Sequence, residues 1–179
     1  MENPNYKKFK GLYLSQEWDY ETPDDIFNFL HVIFDFSLDV AANAFNTKTP
    51  EFINEETNAL TVPWKTEKKW WMNPPWGKEY KKKTGYTIND WVNKALFEFR
   101  KGNEGVGIVS ARTDTGWWHD YVSEAPYIWF PKGRVAFLID GEVKKQPNFP
   151  SACPIYVEHL QQWQIDMLNT RGDLRKKLI

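Results

Sequence analysis

The chain of 179 residues predicts one α/β domain, built on a mostly parallel sheet with an antiparallel edge strand. Three observations lead there. Segments with strand and helix periodicity alternate along the chain and are joined by short loops, the pattern of crossover-connected sheets. A hydrophobic content of 41% is enough for one core and too little for two. The most chemically suggestive residues, Asp39 and Asn73, fall at the carboxyl ends of predicted strands, where open α/β sheets bind their ligands. The expected organisation is a polar arm over 1–13, the domain over 14–160, and a charged helix over 161–179.

In chain order, Thr22-Pro23-Asp24-Asp25 reads as a helix start, with a capping hydroxyl, proline in the first turn and acids near the positive end of the helix dipole. That helix runs to about Val32. Phe34 to Val40 alternates as a strand and opens into Ala41-Ala42-Asn43-Ala44, leaving Asp39 at the strand end. Signals are weak from Phe45 to Trp64, with a short strand near Glu51–Ile53 and a turn at Glu55–Ala59. Lys69 to Met72 reads as a strand delivering the next loop to a sheet edge, and a lysine-rich loop follows. Ile88, Trp91, Val92, Ala95, Leu96 and Phe99 carry the helical period up to Gly102. Gly105 to Ala111 reads as a buried strand and Thr115 to Glu124 as a helix. Strands are expected at Tyr127–Pro131, Val135–Asp140 and Cys153–Glu158.

Composition narrows the chemistry. No apolar run reaches the length of a membrane span and no secretory leader pattern opens the chain, so a soluble, intracellular protein is expected. A single cysteine, Cys153, excludes an internal disulfide. His31, His119 and His159 stand far apart, so no metal centre is expected. The net charge of −1 argues against binding nucleic acid by overall charge alone. The basic residues are nevertheless clustered. Lys78, Lys81, Lys82 and Lys83, interleaved with Tyr80 and Tyr86, read as phosphate contacts beside a pocket, whereas Lys7, Lys8 and Lys10 read as a solvated face.

The pocket is inferred from Asn73-Pro74-Pro75-Trp76. Two prolines make a stiff corner whose carbonyls stay free to accept hydrogen bonds. The Asn73 amide oxygen and the Pro74 carbonyl would each accept a proton from an exocyclic amine, while Trp76 offers a face on which a base outside its duplex can stack. Taken alone, the tetrapeptide is read equally well as a turn.

Its neighbours tip the balance. Trp18-Asp19-Tyr20-Glu21-Thr22-Pro23, Phe36-Ser37-Leu38-Asp39-Val40-Ala41-Ala42, Asn73-Pro74-Pro75-Trp76, the segment from Ala111-Arg112 through Trp117-Trp118 to Asp120, Lys132-Gly133-Arg134-Val135-Ala136-Phe137 and Pro150-Ser151-Ala152 follow one another in order. In this the chain resembles the phage-type DNA N6-adenine methyltransferases, the Dam family of phages and prophages. The resemblance spans most of the chain. It implies a Rossmann-like class I methyltransferase fold, S-adenosylmethionine as methyl donor, adenine in DNA as acceptor, and action in the host cytoplasm. It further implies catalytic roles for Asn73, Pro74, Pro75 and Trp76, and cofactor contacts from Trp18, Thr22, Pro23, Asp39, Ala41, Ala42 and Asn58. Arg112 and Arg134 join Lys78, Lys81, Lys82 and Lys83 as expected DNA contacts.

Two features depart from the pattern. Ala41-Ala42-Asn43 lacks the glycine-rich turn usual after the first strand, and Asn58-Ala59-Leu60 stands where many adenine methyltransferases carry an aspartate. Structural readings therefore stay open: Thr22 as a helix cap, Trp18 as a core aromatic, Arg112 paired with Asp114. So do other functions: methylation of cytosine N4 or of a protein glutamine, or a DNA-binding relative without catalysis. With no room for a separate recognition domain, target selectivity is expected to be short or relaxed and to come from loops such as Gly77–Thr87.

Overall fold

In the computed structural model, which describes residues 20–139, 141–143 and 149–177, strands and helices alternate along one mixed sheet. The expected arm 1–13 and Trp18 lie outside the described residues. Helix α1 (Asp24–Phe34) begins behind Pro23, which occupies the cap position; no side chain caps the helix, so Thr22 does not serve as its cap. Asp35 closes the helix in the left-handed conformation at φ 55°, one of the few non-glycine residue types that tolerate it, and β1 (Phe36–Asp39) starts at the next residue. Strand β2 (Glu51–Phe52) and strand β3 (Lys69–Met72) both pair with β1 in parallel.

Helix α2 (Lys78–Thr84) replaces the lysine-rich loop expected here. Lysines are good helix formers, and Tyr80 supplies the one buried side chain that ties this turn to the core. Too few apolar residues fall in seven positions to show a period. Gly77 at φ +119° and Gly85 at φ +82° bracket the helix in conformations open to glycine. Helix α3 (Ile88–Arg100) is held at its start by a capping box between Thr87 and Asp90.

Strands β4 (Gly105–Gly107) and β5 (Val109–Ser110) follow, separated at Ile108. The expected helix over Thr115–Glu124 contracts to a π-helical turn at Trp118–Val122, just long enough to bury both Trp118 and Val122. Strand β6 (Tyr127–Pro131) and strand β7 (Ser151–Tyr156) are joined by a segment in which the expected strand Val135–Asp140 is not formed among the described residues. Leu138 instead makes an isolated bridge to Glu21 and Ile139 one to Glu142. The charged terminal helix is α4 (Gln162–Arg171), and the chain then turns into an edge strand, β8 (Gly172–Lys176), rather than continuing as helix.

The sheet order is β2-β1-β3-β4-β7-β6-β8, with β5 also pairing to β7. Strands β1 to β4 pair in parallel, and β5 and β6 share their direction because each is antiparallel to β7, itself antiparallel to β4. The sheet is thus mostly parallel, but the strand expected near Cys153–Glu158 as an antiparallel addition, β7, lies inside it between β4 and β6, and the antiparallel edge is β8, formed within a segment expected to be helical. Strand β3 lies in the interior, between β1 and β4, so the loop after it leaves the sheet's carboxyl end, not its lateral edge.

Both faces of the sheet are covered. On β3, Trp70 and Met72 pack with Trp91, Val92 and Leu96 of α3, while Trp71 packs with Phe27 of α1 and, across the same face, with Ile155 and Leu168. This alternation is the period of two that a strand imposes. Burying an indole requires a partner for its N–H. Trp64 donates to the Ala59 carbonyl at 2.9 Å, Trp70 to Asn103 at 2.9 Å, and Trp129 to Leu168 at 2.9 Å. Gly105 lies against the Trp70 ring, where a Cβ would come 2.1 Å from Cδ2. Trp70 is wholly buried and cannot move aside. Gly105→Ala is expected to destabilise the protein by about 3 kcal/mol, the upper end for overpacking, read as a lowered urea midpoint with an unchanged slope.

Candidate active site

The carboxyl ends of β1, β3 and β5 bring the site together. The Asp39↔Trp71 register places Asp39 beside the end of β3, and the Val40 N–H donates to the Trp71 carbonyl at 3.0 Å. Asn73 begins the loop just beyond. Its Nδ2 donates to the Tyr20 carbonyl at 2.5 Å. A carbonyl can only accept, so the amide nitrogen must face Tyr20 and the amide oxygen is left to accept from elsewhere. Pro74 is buried and Pro75 and Trp76 half-buried. Tyr20 stacks on Trp76 with centroids 5.6 Å apart, and Phe149 meets the same indole edge to face at 4.7 Å.

Asp39 is 3% exposed. Its Oδ1 accepts from the Ala41 N–H at 3.3 Å and its Oδ2 from the Lys48 N–H at 3.2 Å, so the carboxylate shapes the loop after β1. Lys48 pairs its ammonium with Asp24 at 2.6 Å. Burial pushes the Asp39 carboxyl up to about 6 from its ordinary 3.8, with the two N–H groups and the Lys48 charge pulling weakly the other way. Nearby, the Thr22 hydroxyl is buried and has no hydrogen-bond partner among the described residues. Asn58 sits in the left-handed conformation at φ 55°; its amide oxygen accepts from the Leu60 N–H at 3.2 Å and its Nδ2 donates to the Tyr86 hydroxyl at 3.4 Å. Those contacts explain an asparagine here on turn geometry.

A cleft of about 370 Å³ opens beside Trp76. Gly77, Lys78 and Lys81 line one side, Thr87 and Ile88 the start of α3, and Ser110, Arg112 and Trp117 the far side. Of the expected DNA contacts, Lys78, Lys81 and Arg112 converge on this cleft. Lys82 and Arg134 are exposed elsewhere, and Lys83 pairs with Glu55 at 2.8 Å. Arg112 makes no ion pair with Asp114. Asp39, Asn73 and Pro74 do not line the cleft. Sequence reasoning missed Tyr20, Trp117, Ser110 and Phe149. Trp117 was visible only as one member of a block, with nothing to separate it from its buried neighbour Trp118. No group of three or more metal-ligating side chains forms among the described residues, and no described helix is long and apolar enough to cross a membrane.

A mixed sheet of this order, with an amide–diproline–indole corner at the end of an interior strand, is consistent with a methyltransferase-like fold. The chain belongs to the DNA N-6-adenine-methyltransferase (Dam) family, whose model matches residues 13–172. It is 36% identical over 161 residues to the DNA N-6-adenine-methyltransferase of Haemophilus phage HP1 (strain HP1c1), a match covering 87% of this chain and 84% of that protein. It is also 25% identical over 123 residues to the DNA N-6-adenine-methyltransferase of Escherichia phage T1, covering 68% of this chain and 48% of that protein, so it spans about half the length of this second relative.

The folded chain holds the Asp39 proton more tightly than the unfolded chain does. Its contribution to stability is therefore fully present below the unfolded value of 3.8 and is lost as pH rises through about 6. The whole effect is about 3 kcal/mol at 1.36 kcal/mol per unit. Asp39→Asn should remove this acid-range dependence, so urea titrations between about pH 4 and pH 7 should give a flatter stability profile for the variant than for the parent.

Proposed function

We propose that the chain transfers a methyl group from S-adenosylmethionine to N6 of an adenine in DNA, with the base held outside its helix. The observation that carries this reading is the Asn73–Tyr20 hydrogen bond, which engages the amide nitrogen and leaves the Asn73 oxygen as an acceptor one residue before the Pro74 carbonyl. Two acceptors on a stiff corner suit an NH2 group. The adenine amine is a poor nucleophile because its lone pair is delocalised into the ring. Accepting both hydrogens draws electron density onto nitrogen and favours its tetrahedral form, and the surplus proton leaves to water after methylation. Orientation of this kind accounts for roughly 7–11 kcal/mol of barrier in well-aligned reactions. Extruding the base costs a few kcal/mol, and stacking against Trp76, which remains half-exposed, offsets part of it.

The residues on the cofactor side fit a polar, partly cationic ligand. The Thr22 hydroxyl is buried without a partner, and Asp39 uses only two of the roughly four lone-pair sites of its carboxylate. Thr22, Pro23, Asp39, Ala41 and Ala42 would hold S-adenosylmethionine, with Asn58 at its margin. When bound, the cofactor supplies a methyl group already activated on sulfonium. The small side chains of Ala41 and Ala42 take the place of the glycines that this fold commonly uses. The reaction would take place in the host cytoplasm. Selectivity would come from the Gly77–Thr87 segment and be short or relaxed, since so short a segment can reach only a few bases.

Incubating the protein with plasmid DNA and methyl-labelled S-adenosylmethionine, then digesting to nucleosides, is expected to yield N6-methyladenine. Label on cytosine N4, or only on protein glutamine, would reject the assignment. Asn73→Ala should lower turnover on the order of 10²–10³-fold, the scale for losing one preorganised hydrogen-bonding group at a reacting centre. The variant should still fold and bind cofactor by calorimetry, and near-parental turnover would remove Asn73 from the chemistry.

A further inference from the structure

We propose that the cleft between Trp76 and Trp117 is a second nucleotide site, taking the nucleotide next to the target adenine. Its phosphates would lie against Lys78, Lys81 and Arg112 and its base against the Trp117 indole. This rests on the reading of the chain as a DNA methyltransferase, and it concerns a different place in the molecule.

Three observations point to it. The cleft has room for a nucleotide-sized ligand at about 370 Å³, yet neither Asn73 nor Pro74 lines it. The amine acceptors are therefore not part of its lining, although Trp76 is, and we assign the cleft to a base other than the one being methylated. Its charge is one-sided: Lys78, Lys81 and Arg112 line it with no carboxylate, and none of the three forms an ion pair with any described residue. On a chain of net charge −1, that local concentration of positive charge selects an anion by position.

Trp117 supplies the third. Trp118 fills the core at 5% exposure and anchors the segment, whereas Trp117 stays half-buried, meets Trp118 edge to face at 6.1 Å, and lines the opening. An indole packed against the core at the wall of a basic cleft is the combination by which proteins grip unstacked strands, cations on the backbone and an aromatic face for a base. The two walls come from different strand ends, β3 through Trp76 and β5 through Arg112. A nucleotide in the cleft would thus be fixed relative to the Asn73 corner by the sheet itself. The site makes this part of the surface a reader of the base beside the target, and it favours DNA whose neighbouring nucleotide can leave its stack.

The test uses the full chain and a fluorescently labelled, short single-stranded oligonucleotide, with binding followed by anisotropy over a range of salt. Trp117→Ala should weaken binding roughly 5- to 150-fold, the span for one lost base–aromatic stack, and Trp117→Phe should restore most of it. Arg112→Gln, at an exposed position whose loss leaves the core intact, should lower the slope of log affinity against log salt by about 0.7 for each phosphate contact removed. Unchanged affinity in Trp117→Ala with an unchanged salt slope in Arg112→Gln overturns the proposal. So does a Trp117→Phe variant as weak as Trp117→Ala, which marks a packing role. Failure to methylate adenine while these variants still weaken binding would sink the methylation reading and leave this site standing.

Discussion

A single hydrogen bond, from the Asn73 amide to the Tyr20 carbonyl, decides which end of the amide the candidate site leaves free. An asparagine amide has one end that donates and one that accepts, and only its surroundings decide which faces a ligand. Tyr20 belongs to the segment before α1, far from Asn73 in sequence, and its ring stacks on Trp76 three residues beyond Asn73. One residue therefore orients the amide with its backbone and supports the indole with its side chain. The diproline between them contributes stiffness to the corner.

The parts of this arrangement that follow from local sequence were legible in it. Ile88–Arg100 shows its helix because apolar side chains repeat on one face, and Phe36–Asp39 and Lys69–Met72 show their strands because they end where glycine, proline or small residues begin. The position of Asp39 beside the start of the Asn73 loop follows from placing both at strand ends. What escaped depends on partners distant in sequence. β8 forms because β6 offers an open edge across five paired positions, which no property of residues 172–176 announces. The expected Val135–Asp140 strand gives way to a bridge with Glu21, a residue more than a hundred positions away. Lys78–Thr84 becomes helical through one buried tyrosine, whose hydroxyl accepts from Trp91 at 3.1 Å.

The site residues show the same division. Asn73 and Trp76 are singled out as candidates by adjacency in the chain, and the structure groups Lys78, Lys81 and Arg112 around one opening, although Arg112 arrives from another strand. Lys83 is drawn away by Glu55, and Asn58 is taken up by its own turn. Sequence gives the charge of a side chain, whereas its availability to a ligand depends on which neighbours have already claimed it. The net charge of −1 accordingly says little about the surface facing Trp76.

The insertion of β7 between β4 and β6 bears on how the molecule assembles. Strand β4 carries the residues leading to one wall of the cleft, yet its outer backbone groups find their partners only in residues 151–156. Joining strands so far apart in the chain is entropically slow. During synthesis the two indoles and the amide corner emerge from the ribosome well before the strand that completes their sheet. A nascent chain therefore carries both indoles and the amide corner while still lacking the strand that completes the sheet beneath them.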